Sequence, residues 1–333
     1  IGFEEAEFDE RVYAREAAKI LGSEHHEEVV SADAMTLLPT LVDHYGEPFG
    51  DSSAIPTWHV SRLAREHVPM VLSGDGGDEF FAGYHSYCAF LAKMQPWRPE
   101  RSEWKKTLRP LMQKAIPSRF PNDPAPPDPD IESYLECHVS PHSHADGLWR
   151  EEMRGRYSSV PTTVHEAFSS VVERDPVSRA RMVDIHHYLP ADILTKVDIA
   201  SMMHGLESRT PLTDVRIAEL AGRIPSELLI TSRGKKTERS SWEGKQPFRK
   251  ILRQRFSDEF VNRPKMGFGI PLPQWLFGST ARRDEVYDRL LGSDSRVLKF
   301  LDREAVASIL VNRQVHPTWH LLFLEEWMRQ HRF

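Results

Sequence analysis

The chain has 333 residues, of which 40% are hydrophobic and 28% charged, and its formal net charge is −6. This length is enough for one large domain or two ordinary ones with a sizeable core. Acidic and basic residues are mixed along the chain, so no basic stripe indicates nucleic-acid binding, and no apolar run reaches the roughly 18 residues of a membrane helix. Two cysteines are too few for a disulfide framework, so we expect a cytoplasmic protein.

The first ninety residues alternate strand-like and helix-like segments. Residues 1–3 are typical of the end of a buried strand, and because no signal peptide follows Ile1 we expect a piece of a longer protein. The further predicted elements, in chain order, are a helix at about 8–21, a strand at 26–30, helices at 32–44 and 55–67, and a strand at 68–72. This alternation predicts a parallel sheet whose ligands bind beyond the carboxyl ends of its strands. The residues after Leu72 are therefore the first candidates for a site.

The remaining chain divides at a proline-rich stretch. Nine prolines lie between residues 95 and 131, which predicts an irregular connector. Later apolar spacing predicts helices near 177–189, 191–204, 213–223, 245–256, 283–291, 302–312 and 319–331. We therefore expect an α/β part at 1–95, a divergent Pro-rich connector at 96–175 and a helical part at 176–333.

The segment Ser73–Glu79, which reads SGDGGDE, is the strongest candidate site. Its three glycines let backbone N–H groups approach a ligand closely, as a phosphate-binding turn requires. Its three carboxylates repel one another unless a cation lies among them, and hard oxygen ligands beside phosphate favour Mg²⁺. The competing interpretation is a solvated acidic turn. The apolar strand before the turn and the aromatic pair Phe80 and Phe81 after it favour the ligand site.

Two later segments carry lysines suited to an anionic ligand. Lys196 and Asp198 lie in an otherwise apolar stretch, where unpaired charge is costly. Lys196 could face a pyrophosphate while Asp198 orients it, and a structural ion pair is the alternative. Lys265 lies on a loop between Pro264 and Gly267. This placement suits contact with a charged intermediate, and an ordinary surface lysine is the alternative.

Five segments in one order resemble the synthetase domain of glutamine-dependent asparagine synthetases. They are the turn after Leu72, the Lys196–Pro211 stretch, the Lys265 loop, and the segments Tyr45–Pro56 and Trp319–Trp327. The resemblance covers nearly the whole chain except about 95–175. It implies a parallel α/β fold of the adenine-nucleotide alpha hydrolase (PP-loop ATPase) type with a mainly helical C-terminal half.

The resemblance also implies an activity. The carboxylate of aspartate attacks the α-phosphate of ATP in the presence of Mg²⁺, which gives β-aspartyl-AMP and pyrophosphate, and ammonia from glutamine then displaces AMP. The catalytic residues implied are Asp75, which deprotonates the incoming amine, and Lys265, which stabilises charge on the adenylate and pyrophosphate. Asp78 is the implied Mg²⁺ ligand. The implied nucleotide-binding residues are Ile1, Ser73, Gly74 and Lys196, and the implied substrate-binding residues are Asp51, Ser53 and Asp198.

Two parts of the family pattern are missing from this sequence. The pyrophosphate loop Ser-Gly-Gly-x-Asp-Ser should precede Ile1, and the glutaminase domain should precede that loop. We therefore expect an N-terminally truncated synthetase domain that is inactive alone and whose ammonia comes from the missing domain in cis.

Three alternatives stay open at this point. The first is asparagine synthesis from aspartate. The second keeps the adenylation chemistry but changes the carboxylate, as in sugar amidation or β-lactam formation. The third is a non-catalytic remnant. The expected partners are small molecules, with no nucleic acid and no membrane, and a homodimer is an open option.

Overall fold

The computed structural model describes residues 1–30, 34–94, 129–138, 147–154, 162–170, 175–232, 234, 242–263 and 268–333. Lys265 and most of the Pro-rich stretch therefore lie outside the described residues. Within the described ranges the chain is mostly helical and has three two-stranded sheets. No helix in these ranges is both long enough and apolar enough to cross a bilayer.

The N-terminal part alternates strands and helices as predicted. In chain order its elements are β1 (Gly2–Phe3), α1 (Arg11–Leu21), β2 (Val29–Val30), α2 (Ala34–Tyr45), α3 (Ala54–His67), β3 (Met70–Leu72), α4 (Gly77–Phe80) and α5 (His85–Met94). Gly22 ends α1 in the left-handed region, with φ of 66°. A residue without a Cβ reaches this conformation at little cost, so the predicted helix end is confirmed.

The rest of the described chain is almost entirely helical. Its elements are α6 (Pro129–His138), α7 (Thr162–Ser169), α8 (Pro176–Val183), a π-helix (Asp184–Leu194), α9 (Thr195–Met202), β4 (Glu207–Arg209), α10 (Val215–Arg223), α11 (Ser226–Leu229), β5 (Thr231–Ser232), β6 (Trp242–Glu243), α12 (Gln246–Leu252), α13 (Asp258–Val261), α14 (Leu272–Phe277), α15 (Thr280–Leu291), α16 (Arg303–Val311) and α17 (Val315–Gln330). The helices α6 and α7 lie within residues 96–175; α6 begins at the last of the nine prolines and α7 follows later in the chain.

The sheets are smaller than the sequence predicted. β1 pairs with β2 in parallel, β3 pairs with β4 in parallel, and β5 pairs with β6 antiparallel. The two parallel pairs are separate sheets in the described residues. Leu72, predicted as the end of a short apolar strand, is 69% exposed. The architecture is consistent with an α/β fold, with short parallel strands among many helices.

The hydrophobic core joins parts of the chain that are far apart in sequence. The largest cluster packs β1, β2 and α2 against the C-terminal helices, with Leu41, Trp319 and Phe323 among its fully buried residues. The C-terminal helices therefore complete the core of the N-terminal part. This arrangement fits the interpretation of the helical half as a layer on the sheet rather than a separate unit.

Two further clusters surround the turn after β3. One packs α4 and α5 against α6, α8 and α10, around the fully buried side chains of Tyr87 and Phe90. The other is small and consists of Phe256, Phe260 and Val261, with α1 packed against it. The turn therefore lies where three separately packed regions meet.

Candidate functional site

A cleft of about 1250 Å³ lies at the carboxyl end of β3. Its walls come from the turn Ser73–Gly76, one face of α3, the end of the π-helix with the start of α9, and the segment Trp242–Arg263. Seven of the ten predicted site residues line it, namely Asp51, Ser53, Ser73, Gly74, Asp75, Asp78 and Lys196. The structure thus gathers residues that are up to 145 positions apart in sequence.

The turn after β3 is held by its own backbone and by β4. The Ser73 N–H donates to the Arg209 carbonyl at 2.8 Å, and the Gly77 N–H donates to the Gly74 carbonyl at 3.2 Å. Ser73 Oγ donates to Asp75 Oδ2 at 2.7 Å. Gly76 has φ of 85°, and a Cβ there would lie 2.9 Å from Thr213. The glycine-rich sequence is therefore required for this turn, which places the Asp75 carboxyl at the cleft.

The three carboxylates of the turn do not act alike. Glu79 is 1% exposed and accepts a hydrogen bond from the Tyr84 hydroxyl, and burial raises its pKa. Arg181 Nε donates to the Glu79 carbonyl at 3.1 Å. Both residues line the cleft, but Glu79 is buried and bonded to Tyr84, whereas Asp78 is partly exposed. Asp75 and Asp78 are therefore the two carboxylates of the turn available to a cation.

Asp78 has a lysine partner that the sequence reasoning missed. Lys245 Nζ lies 2.9 Å from Asp78 Oδ2, and the Lys245 N–H donates to the Phe81 carbonyl at 3.1 Å. A Cβ on Gly83 would lie 2.1 Å from Asp78 Oδ1, and one on Gly244 would lie 1.8 Å from the Ala82 carbonyl oxygen. These two glycines allow the segment before α12 to approach the turn. The sequence Gly-Lys-Gln-Pro at the start of α12 was the available sign of this lysine.

Lys196 forms a second ion pair in the cleft. It is buried, and its Nζ lies 2.6 Å from Asp51 Oδ2 and 3.9 Å from Asp192 Oδ1. Ser53 donates to Asp51 from its N–H at 2.9 Å and from its hydroxyl at 2.7 Å. Burial acts to raise the pKa of Asp51, but the charge and hydrogen bonds of Lys196 and Ser53 outweigh it and leave the pKa below its usual range. Asp51 is therefore ionised and fixed.

Asp192 is a third member of this group that the sequence reasoning did not single out. Burial, followed by the charge of Asp51, raises the pKa of Asp192 to about 7. Two carboxylates therefore share one lysine, and the second is held near the point of protonation at neutral pH. Its spacing of four residues before Lys196 on a helix was the available sign.

Two predicted site residues within the described ranges, Asp198 and Ile1, do not line the cleft. Asp198 is exposed and lies outside the cleft walls, so the prediction that it orients Lys196 is wrong and Asp51 does so instead. Residues two apart on a helix point in nearly opposite directions, which explains the error. Ile1 packs against the largest core cluster rather than on the cleft walls. Lys265 lies outside the described residues.

The cleft offers oxygen ligands that fit a partial coordination sphere for Mg²⁺. Asp75 and Asp78 are partly exposed carboxylates beside a glycine-rich turn. Mg²⁺ is commonly bound by one or two carboxylates, with substrate phosphates and water supplying the rest. No group of three His, Cys, Asp or Glu residues in the described ranges could hold a metal by itself. The donor set therefore fits a cation that arrives with a phosphate ligand.

Comparisons with known proteins give one consistent result. The family described as asparagine synthase matches residues 1–329 of this chain. Asparagine synthetase (glutamine-hydrolyzing) 1 of Bacillus subtilis is 29% identical over 293 residues, which cover 83% of this chain and 42% of that protein. A Mycobacterium bovis protein provisionally named as a glutamine-hydrolyzing asparagine synthetase is 30% identical over 354 residues, covering 97% of this chain and 50% of that protein.

A fungal protein is also similar. Amidase chry2 of Gibberella zeae is 25% identical over 323 residues, which cover 89% of this chain and 46% of that protein. The chain thus spans half or less of the length of these relatives.

Proposed function

The chain belongs to the asparagine synthase family, and from this membership and the cleft we propose that it performs the ATP-dependent amidation of aspartate to asparagine. The family uses ATP. The proposal includes aspartate as the acceptor, β-aspartyl-AMP as the intermediate and Mg²⁺ as the metal ion. It also includes a fold of the PP-loop ATPase type and ammonia released from glutamine by a separate domain.

One observation carries the proposal: two lysine–carboxylate pairs and a glycine-rich turn line a single cleft. Transfer of an adenylyl group requires charge neutralisation and positioning more than a nucleophile supplied by the protein. Lys196 and Lys245 supply cations, and the N–H groups of residues 74–76 in the turn suit phosphate oxygens. The cleft is large enough for a nucleotide and a small carboxylate.

Each cleft residue has a part in the proposed reaction. The turn binds the phosphates, and Mg²⁺ held by Asp78 would neutralise charge on the departing pyrophosphate. Lys245, which is paired with Asp78, contacts the same phosphate group. Asp75, held by Ser73, takes a proton from the amine that attacks the acyl group. Asp51 and Ser53 bind the acceptor with Lys196 behind them.

The first test measures which carboxylate drives ATP–pyrophosphate exchange in the full-length gene product. We expect exchange that depends on aspartate, and none above background with succinate, a sugar carboxylate or a β-lactam precursor. Exchange driven by another carboxylate would replace aspartate as the acceptor. No exchange with any carboxylate would refute the adenylation chemistry.

The second test is substitution of Lys265, because loss of a charge-stabilising lysine lowers kcat far more than loss of a surface lysine. Lys265→Ala should lower kcat by about 100-fold or more with a modest change in KM for ATP, since the lost contact acts mainly in the transition state. Lys265→Arg should restore kcat only partly, because a guanidinium places its donors differently. The measurement is steady-state kinetics with ammonia supplied directly.

The matched control for Lys265 is Lys19→Ala, on the exposed side of α1. It should leave kcat unchanged. If Lys265→Ala keeps more than about a third of the normal kcat, a loss under roughly 0.7 kcal/mol, the role assigned to Lys265 is wrong.

A further inference from the structure

A second group of polar side chains lies behind the cleft, around Asp184. Asp184 is 2% exposed and is the first residue of the π-helix. Its Oδ2 accepts a hydrogen bond from the Tyr87 hydroxyl at 2.5 Å, and its Oδ1 accepts one from the Tyr134 hydroxyl at 2.7 Å. Tyr87 belongs to α5, which follows the acidic turn, and Tyr134 belongs to α6, in the middle of the chain. One carboxyl group therefore joins three separate segments.

Burial of the Asp184 carboxyl group in an apolar environment is energetically unfavourable. The group is surrounded by the apolar cluster around Phe90 and Phe168, and burial raises its pKa to about 6 although both tyrosines favour the ionised form. Burial also raises the pKa of Tyr87 and of Tyr134, so both remain hydroxyl donors at neutral pH. A well-packed apolar side chain at this position would often be as stable or more stable. Because burial of this carboxyl group lowers the stability of the fold, we interpret its role as fixing the position of the segments that it joins.

The π-helix runs from Asp184 to the cleft. Asp184, Tyr188, Asp192 and Lys196 follow one another at intervals of four residues, so they lie along one side of the helical segment. Tyr188 and Lys196 line the cleft. The Tyr84 ring lies 5.8 Å from the Tyr87 ring and 5.7 Å from the Tyr188 ring, measured between centroids. A change in the position of Asp184 therefore reaches the cleft both along the helix and through packed rings.

We propose that Asp184 is a positioning residue: its ionised carboxylate, held by Tyr87 and Tyr134, fixes the start of the π-helix so that Tyr188 and Lys196 face the cleft. The α6 helix thereby takes part in ordering the site although none of its described side chains lines the cleft. The charged and titratable groups around Asp184 are Tyr87 from α5, Tyr134 from α6, Glu79 from α4 and Tyr188 from the π-helix itself. The kinetic part of the test rests on the proposed function.

The experiment compares Tyr134→Phe with a matched control, Tyr287→Phe, in the full-length gene product. Tyr287 is partly buried, whereas Tyr134 is buried, and it packs on the other large cluster. Tyr134→Phe removes one donor to the carboxylate, so kcat should fall by about tenfold while KM for ATP changes by less than about twofold. The acid limb of the kcat profile should move to higher pH, because ionised Asp184 has lost part of its support. The control should change none of these values.

A second readout does not use activity. The folded-state pKa of Asp184 lies above its unfolded value, so ionisation of Asp184 lowers stability as the pH rises through about 6. Loss of the Tyr134 hydroxyl raises that pKa further. The unfolding temperature of Tyr134→Phe should therefore fall more at about pH 8 than at about pH 5, and that of Tyr287→Phe should fall equally at both.

An unmoved acid limb, or an equal loss of unfolding temperature at the two pH values, would overturn the proposal and leave Tyr134 as ordinary packing. If Tyr134→Phe does not fold, Tyr87→Phe carries the same comparison, since Tyr87 donates to the other carboxyl oxygen. Absence of aspartate-dependent exchange in the unsubstituted protein would refute the proposed function instead, and the unfolding comparison would still decide the role of Asp184.

Discussion

The two ion pairs of the cleft differ in how much water reaches them. In the first pair, Lys196 with Asp51, the side chains are 7% and 21% exposed, and the N–O distance is 2.6 Å. In the second, Lys245 with Asp78, they are 33% and 26% exposed, and the distance is 2.9 Å. The first pair also has Ser53 and Asp192 around it, whereas the second bridges the acidic turn to the segment before α12.

This difference in exposure indicates that the Lys196–Asp51 pair is a fixed part of the cleft, whereas the Lys245–Asp78 pair can be exchanged for contacts with a ligand. Water screens the attraction between partly exposed charges, so the Lys245–Asp78 pair is weak and a phosphate or a metal ion can compete for either member. The buried pair resists such competition, because removal of one member leaves the other charge without a partner in a poorly solvated place. The cleft thus combines a rigid side, from α3 and α9, with a side that a charged ligand can rearrange.

The largest effect on stability should come from Lys196→Met, which keeps the length of the side chain and removes its charge. It leaves Asp51 and Asp192 facing each other without a cation, so we expect a loss of about 3 kcal/mol in the free energy of unfolding. Denaturant unfolding at neutral pH measures it, with Lys19→Met on the exposed side of α1 as the control. A loss under about 1 kcal/mol would mean that the pair is as solvated as a surface pair.

A smaller, pH-dependent effect should come from Asp192→Asn. Because the pKa of Asp192 is raised to about 7 in the folded protein, its ionisation lowers stability as the pH rises through that value. An amide does not ionise, so the variant should be more stable than the unsubstituted protein by about 1–2 kcal/mol near pH 8, after allowance for partial exposure and for the shared lysine. Below about pH 4, where Asp192 is protonated in both the folded and the unfolded state, the two should be nearly equal. A variant that is less stable at pH 8 would show that ionised Asp192 strengthens the site.

The local features of the cleft could be read from the sequence. The turn after β3 was predicted from its glycines and from the apolar strand before it, and the structure places Ser73, Gly74, Asp75 and Asp78 there. Local patterns suffice for a turn because backbone conformation and short-range repulsion determine it. The resemblance to the synthetase family is confirmed, and it supplied Asp51 and Ser53, which no local pattern had indicated.

The long-range features could not be read in this way. Lys245 reaches Asp78 through the packing of residues more than 160 positions apart, and no periodicity reports such a contact. The direction of a side chain was the other difficulty, since Asp198 lies in a predicted segment but is exposed outside the cleft walls. The contact between Tyr134 of α6 and Asp184 was not predicted, because the resemblance seen in the sequence left out residues 95–175.

The smallest effect on stability should come from Lys245→Met. A small loss here and a large loss in Lys196→Met would distinguish the two ion pairs. Both members of the Lys245–Asp78 pair are partly exposed, so the free energy of unfolding should fall by only about 0.5–1 kcal/mol. The same change should weaken pyrophosphate binding strongly, because the lysine meets a multiply charged ligand there without a competing buried partner. The measurement pairs denaturant unfolding with inhibition of ATP–pyrophosphate exchange by added pyrophosphate. Lys196→Met should show the opposite balance: its loss in the free energy of unfolding should be large relative to its loss of pyrophosphate binding. If Lys245→Met instead destabilised the protein as much as Lys196→Met, the contact between the turn and the α12 segment would be structural, and the division into a fixed and an exchangeable side would be wrong.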